Sequence, residues 1–241
     1  MAFRQDLSRV EPLLAKTAHD SRKWTTPSLS DRTVIVSFLN AHAVNTAVRN
    51  MAFYRCLMES DYLLRDGIGV KLALNLFGLG ETENLNGTDL ISSLIPHYHG
   101  RRLAIFGASN ETIQACRRRL EAENISNIVS MEHGFHSDEV YLQICAELKP
   151  EIVILCMGMP RQELLAAEIK ARGLVSLVIC GGGWADFYSG VKIRAPEWVR
   201  KLSLEWLHRL VKEPKRLGKR YTIDVAGYFV TIGLAKLKSR N

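Results

Sequence analysis

Two aspartates stand beside glycines in segments that follow apolar, strand-like runs. Asp66 precedes Gly67 and a helix-like segment, and Asp186 follows three consecutive glycines. A carboxylate so placed either caps a helix by accepting backbone N–H groups or acts on a substrate. On the second interpretation, Asp66 is a general base and Asp186 holds a sugar hydroxyl. Spacing alone leaves both interpretations open for each residue.

The histidines and cysteines do not form a familiar metal-ligand pattern. The pairs His97/His99 and His133/His136 have no cysteine or carboxylate at ligand spacing, so solvated loop histidines are the better interpretation. The five cysteines include no C-x-x-C pair and lie in largely apolar runs, as buried thiols do in a reducing, cytosolic compartment. We therefore predict no metal centre.

The elements that must position these residues alternate between strand and helix. Apolar or β-branched runs of strand length are separated by segments with the 3, 4 and 7 spacings of one helix face. The predicted strands lie at residues 33–38, 62–64, 102–107, 128–131, 151–158 and 176–182. This pattern predicts an α/β fold with a doubly wound, mostly parallel, Rossmann-like sheet. Because ligands bind at the carboxyl ends of parallel strands, the site is expected in the glycine-rich loops that follow them.

Positive charge is concentrated at the end of the 241-residue chain. Residues 195–241 hold 11 Lys and Arg against 4 Asp and Glu, so the whole formal net charge of +7 lies there. An apolar stripe from Val199 to Leu210 alternates with these cations, and a second helix is expected after Pro214. The pattern predicts a C-terminal basic amphipathic helical appendage that lies on an anionic membrane surface.

The chain is expected to have three parts and no membrane span. Residues 1–32 show little periodicity and are predicted to be a lead-in, 33–194 an α/β catalytic domain, and 195–241 the appendage. The longest apolar stretch near the C-terminus has about half of the roughly 20 residues that a span requires. The N-terminus lacks the apolar stretch of a secretory signal, so export is not indicated.

Two other classes of function remain open at this point. The doubly wound pattern alone permits a nicotinamide-dependent oxidoreductase, although no G-x-G-x-x-G follows a strand and no acidic ribose partner stands about 20 residues later. The basic tail also permits a nucleic-acid-binding protein, because clustered Lys and Arg bind any polyanion.

Several motifs together resemble the TagA/WecG/CpsF glycosyltransferases, glycosyltransferase family 26. The matching segments are SFLNAHAVNTA (37–47), DGIGV (66–70), NLNGTDL (84–90), MGMPRQE (157–163), CGGGWADFYSG (180–190) and RAPEWVRKLSLEWLHRLVKEPKRLGKRY (194–221). The GxPxQE and RAPxWV…EWLxRLxxEPxR patterns are the most specific of these.

The resemblance implies an inverting transfer of a hexose or N-acetylhexosamine from a UDP-sugar to a polyprenyl-diphosphate-linked sugar in cell-surface or exopolysaccharide biosynthesis. It implies no metal or other cofactor and a cytoplasmic enzyme, peripheral on the inner face of the cell membrane. Nucleic acid is not an expected partner, and self-association into a homo-oligomer is left open. The NLNGTDL form resembles the branch with the glucosyltransferase of xanthan-type assembly, with an N-acetylmannosaminyltransferase as the alternative.

The resemblance also assigns roles to individual residues. The family's proposed base matches Asp66. Its asparagine before the first helix matches Asn40, its glutamine in GxPxQE matches Gln162, and the arginines of its membrane appendage match Arg209 and Arg216, with the next basic position on Lys219 or Arg220. We also predict substrate contacts at other positions of the matching segments, namely Asn84, Thr88, Asp89, Gly182 and Asp186. Many members have Arg at the position of Asn84, so this chain lacks one cation that the family pattern places near the substrate.

Overall fold

Parallel strands form the centre of the molecule. The computed structural model describes residues 5–197, 199, 205, 210, 211 and 214–239, and the side chains of these except 214–223. The strands are β1 (Val34–Leu39), β2 (Tyr62–Arg65), β3 (Leu103–Gly107), β4 (Ile128–Glu132), β5 (Ile152–Cys156) and β6 (Leu177–Cys180). Within the described ranges they form one six-stranded sheet in the order β2-β1-β6-β5-β3-β4, and every pair is parallel. The predicted doubly wound, parallel fold is confirmed.

Helices cover both faces of this sheet. They are α1 (Val10–Arg22), α2 (Ala41–Ala47), α3 (Met51–Glu59), α4 (Ile68–Leu76), α5 (Gly87–His97), α6 (Asn110–Ala122), α7 (Asp138–Leu148), α8 (Arg161–Ala171), α9 (Trp184–Tyr188) and α10 (Pro214–Lys238). Successive strand residues point to opposite faces, so Val153 packs with α7 and α8 while Ile154 packs with α5, α6 and α9. Burial on both faces explains why the strands read as continuous apolar runs.

Helix α1 lies in the segment where little periodicity was seen, and the sequence analysis did not predict it. Its Asp20 carboxylate accepts the backbone N–H of Leu63 at 2.9 Å, and its Ser21 hydroxyl accepts that of Arg65 at 3.0 Å. These N–H groups belong to the edge strand β2, whose outer side has no neighbouring strand in the described sheet. The helix therefore protects an edge that would otherwise expose unpaired backbone groups.

The C-terminal helix α10 packs onto the same side of the molecule as α1. Its Tyr228, Ile232 and Ala235 are buried in one apolar cluster with residues of α1, α2 and α4. The Tyr228 hydroxyl donates to the Gly69 carbonyl at 2.9 Å, and the Asn45 side chain donates to the Asp224 carbonyl at 2.7 Å. Among the described helices, none combines the length and apolar character needed to cross a membrane.

Candidate active site

The carboxyl ends of β1 and β2 bring Asn40 and Asp66 together. The two strands are adjacent, with Leu39 opposite Arg65, and the Asp66 N–H donates to the Leu39 carbonyl at 3.0 Å. Asn40 Nδ2 lies 3.4 Å from Asp66 Oδ2, and both side chains are half-buried. Two residues 26 positions apart in the chain are thus neighbours at one end of the sheet.

Helix capping does not account for Asp66. The N-cap of α4 is Gly67, with φ +91°, so Asp66 does not occupy the capping position. Asn40 does act as a cap, because its Oδ1 accepts the Ala43 N–H at the start of α2 at 3.0 Å. That bond fixes the Asn40 amide so that its Nδ2 faces Asp66. The Asp66 carboxylate therefore lies in a position compatible with chemistry, and its role as a base stays a prediction.

A buried cation lies beside Asp66, and sequence reasoning missed it. Arg65 is 6% exposed, and its guanidinium donates to the carbonyls of Glu83 at 2.9 Å and Gly67 at 3.2 Å. Burial lowers the pKa of Arg65, and the negative charge of Asp66 partly opposes that shift. Asn84 accepts the Gly67 N–H at 2.9 Å, so it holds the turn that carries Asp66. A charged residue at the end of an otherwise apolar strand was the signal available in YLLRDG.

The start of α5 is tied to the segment that leads towards the appendage. Asn86 caps the helix, and the Asp89 carboxylate binds the guanidinium of Arg194, with one N–O distance of 2.9 Å. Arg194 Nε also lies 3.7 Å from Glu205. Burial alone would lower the pKa of Arg194, but its hydrogen bond and charge interaction with Asp89 raise it overall. Thr88 lies half-buried in the first turn of α5.

The carboxyl ends of β5 and β6 are joined by the side chain of Gln162. It is fully buried, and its Oε1 accepts the N–H groups of Gly158 at 3.2 Å and Gly182 at 3.0 Å. Gln162 and Gly182 are therefore in direct contact, as their shared assignment to one site requires. In this structure the Gln162 amide contacts protein groups, and a direct contact with substrate stays a prediction.

Asp186 lies in the first turn of the short helix α9. Gly183 is the N-cap there and no side chain caps the helix, so the capping interpretation does not hold for Asp186. Its carboxylate pairs with Lys192 and accepts the Thr112 hydroxyl at 3.3 Å. Those contacts link α9 to α6, and binding of a sugar hydroxyl by Asp186 stays a prediction.

Some predicted positions lie outside what the structure describes. Arg209 is not among the described residues, and for Arg216, Lys219 and Arg220 only the backbone, within α10, is described. In the described part of the chain, no group of three or more His, Cys, Asp or Glu side chains is arranged to hold a metal ion.

The site residues line one edge of the sheet in the strand order β2, β1, β6, β5. Neighbouring strands lie about 4.8 Å apart, so β2 and β5, which are three spacings apart in the sheet, are separated by about 14 Å. At the β1–β2 end, the Asn40 amide faces the Asp66 carboxylate. At the β5–β6 end, the buried Gln162 amide links the loops of Gly158 and Gly182. This arrangement can accept a proton from a bound hydroxyl at the first end.

Comparison with known proteins places these features in a family. The chain is similar to N-acetylglucosaminyldiphosphoundecaprenol N-acetyl-beta-D-mannosaminyltransferases of Staphylococcus aureus strains MW2 and NCTC 8325 / PS 47. Each is 26% identical over 215 residues, which cover 87% of this chain and 84% of the relative. Residues 14–241 match the sequence model of the glycosyl transferase WecG/TagA/CpsF family. With that match over almost its whole length, the chain belongs to the WecG/TagA/CpsF family of glycosyl transferases.

Proposed function

We propose that this glycosyltransferase moves N-acetylmannosamine from a UDP-sugar to N-acetylglucosamine on a polyprenyl diphosphate, with inversion at the anomeric carbon. The family supports the reaction class, and the names of the relatives support both sugars and the lipid carrier. They do not support the preference for glucose that the NLNGTDL form suggested. The observation that carries the mechanism is the Asp66 carboxylate, which precedes the N-cap of α4 and faces Asn40 at the carboxyl edge of the sheet.

The proposed mechanism is a single displacement. Asp66 takes the proton of the acceptor hydroxyl, the hydroxyl oxygen bonds to the anomeric carbon of the donor sugar, and the bond from that carbon to UDP breaks. Asn40 holds the carboxylate in place through its Nδ2. A positioned base of this kind contributes about 10²- to 10⁴-fold in rate. One displacement inverts the anomeric configuration.

The departing UDP carries negative charge that cations must stabilise. We propose the appendage residues Arg209, Arg216 and Lys219 or Arg220 for this role. Helix α10, which contains the last three, packs against α2 and α4, the helices that follow Asn40 and Asp66. Arg161, in the MGMPRQE segment, is another cation that could be considered for this role, but its guanidinium donates to the Gly134 carbonyl at 2.6 Å and binds Asp138.

An apolar surface beside α10 supports membrane docking. Side chains on α4 and α10 remain exposed there, among them Val230 at 60% and Leu237 at 62%. They line, with Leu76 and Leu234, an open groove of about 470 Å³ that also contains Lys236. Apolar side chains flanked by lysines suit an anionic lipid surface. We propose that this face rests on the cytoplasmic side of the membrane, where a lipid-linked acceptor would be found.

The test is a transfer assay with defined substrates. The full chain is incubated with UDP-N-acetylmannosamine, UDP-N-acetylglucosamine or UDP-glucose and a short-chain polyprenyl-diphosphate-N-acetylglucosamine, and the products are identified by mass. We expect a disaccharide product from the first donor, formed equally well with EDTA. Preferential use of UDP-glucose would contradict the proposed donor. Loss of activity in EDTA, restored by Mg²⁺ or Mn²⁺, would contradict the proposed metal independence.

A further inference from the structure

The first turn of α8 contains a buried amide and a buried carboxyl side by side. Gln162 is 0% exposed and Glu163 1%. Buried polar groups are costly unless they are hydrogen-bonded, so the contacts that they make show what the fold uses them for. Glu163 is the last residue of the GxPxQE pattern, but the sequence analysis gave it no role of its own.

The Gln162 amide oxygen connects two loops that would border the donor. Gly158 follows β5 and Gly182 follows β6, and these strands are neighbours, with Leu155 opposite Cys180. Both glycines have positive φ, +81° and +57°, and both direct their N–H groups at the same oxygen. The Gln162 oxygen therefore links the two loops to each other. It can do so only while it, and not the amide nitrogen, faces them.

Glu163 holds the nitrogen end of the Gln162 amide and so helps to keep its oxygen facing the glycines. Gln162 Nε2 donates to Glu163 Oε1 at 2.9 Å. If the amide turned by half a rotation, its NH₂ group would face two N–H donors and its oxygen would face the carboxyl group. Burial raises the pKa of Glu163 to about 7, and a carboxyl oxygen accepts this bond in either protonation state. The second oxygen, Oε2, has no hydrogen-bond partner among the described atoms.

We propose that Glu163 is a positioning residue of the donor pocket, acting through the Gln162 amide on the backbone N–H groups of Gly158 and Gly182. The part that concerns the donor rests on the proposed function, whereas the contacts from Glu163 to the two loops do not. Loss of the carboxyl acceptor releases the amide and with it the fixed spacing of the loops.

Two matched variants of the full chain test this role. Glu163→Met keeps the length of the side chain and removes the acceptor, whereas Glu163→Gln keeps an acceptor oxygen. We expect amide hydrogen exchange at Gly158 and Gly182 to become about tenfold faster in Glu163→Met, as for loss of about one net hydrogen bond, and to stay unchanged in Glu163→Gln. Under the same conditions, Glu163→Met should lower kcat/KM for the UDP-sugar by about tenfold or more without lowering Tm, and Glu163→Gln should restore it.

The readouts separate this inference from the proposed function. Faster exchange in Glu163→Met with no sugar transfer from any UDP-sugar would support the positioning role and reject the function. Unchanged exchange in Glu163→Met, or faster exchange in Glu163→Gln as well, would overturn the role of Glu163. If Glu163→Met does not fold, Gln162→Met replaces it: we expect faster exchange at both glycines, and unchanged protection would overturn the proposal.

Discussion

The two ends of the candidate site differ in how deeply their polar side chains are buried and in what those side chains contact. At the β1–β2 end, Asn40 and Asp66 are half-buried and face each other at 3.4 Å, so a substrate hydroxyl can approach the carboxylate. At the β5–β6 end, Gln162 is fully buried and its amide is engaged by two backbone N–H groups and a carboxyl group. The comparison teaches that motif residues of one site divide into groups that can reach a substrate and groups that hold the loops.

Helix α10 of the appendage contacts α2 and α4, the helices at the β1–β2 end of the site. We predict that Arg216→Ala lowers kcat by about 10²- to 10³-fold on a short, water-soluble acceptor, as for loss of one donor to developing charge. Its effect on vesicle binding should be modest, since one surface charge contributes about 1 kcal/mol. Turnover and vesicle retention are measured on the same preparation.

A point variant is the better test here than deletion of residues 196–241. Deletion would also remove Tyr228 and Ile232, whose side chains are buried in the core with α1, α2 and α4. Exposure of that cluster would destabilise the fold, and activity would fall for a reason unrelated to the donor. Full turnover of Arg216→Ala on the soluble acceptor would assign the segment to membrane docking.

The β5–β6 end should affect the pH dependence of stability. Burial raises the pKa of Glu163 from its ordinary value of 4.5 to about 7, so between these pH values the native state holds a proton that the unfolded chain has released. This contribution to the free energy of unfolding is complete below pH 4.5 and is lost as the pH rises to about 7, a change of about 3 kcal/mol. Urea unfolding of wild type and Glu163→Gln at several pH values measures it. Curves that run parallel for the two proteins would contradict the raised pKa.

The buried cation at the β1–β2 end gives the smallest expected change. Arg65→Met leaves the carbonyls of Glu83 and Gly67 without their donor and removes the positive charge beside Asp66. We predict a loss of about tenfold in kcat, because displacement of the carboxylate by a fraction of an ångström impairs proton transfer. Arg65→Lys keeps the charge and serves as the matched control. Wild-type turnover in a folded Arg65→Met protein would show that Arg65 does not position the Asp66 carboxylate for proton transfer.

Much of this architecture could be predicted from local sequence. Runs such as RLAIFG and EIVILC have strand length and are apolar throughout because both faces of the sheet are covered, so β3 and β5 were found within a few residues. The general rule that sites lie at the carboxyl ends of parallel strands then placed Asn40 and Asp66 at one edge.

What the sequence did not reveal depends on contacts made across the fold. The buried side chains of α1 do follow helical spacing, at Val10, Leu13, Leu14, Thr17 and Ala18, so this helix could have been found. Its Asp20 and Ser21 continue that face as hydrogen-bond acceptors for the edge of β2, which apolar periodicity does not reveal. Glu163 stands in the GxPxQE pattern, but its burial and its bond to Gln162 depend on how α8 packs in the fold. The sequence also could not decide whether Asp66 is the N-cap of α4. The backbone decides this, because α4 begins after Gly67, where φ is +91°.

The most direct test of the central claim, that Asp66 is the base of a sugar transfer, is the kcat of Asp66→Asn at saturating donor. The amide keeps the shape of the side chain and cannot take the proton of the acceptor hydroxyl. We predict a fall in kcat of about 10²- to 10⁴-fold, with donor affinity and Tm unchanged. Turnover close to wild type in this variant would contradict the account and leave Asp66 with a structural role.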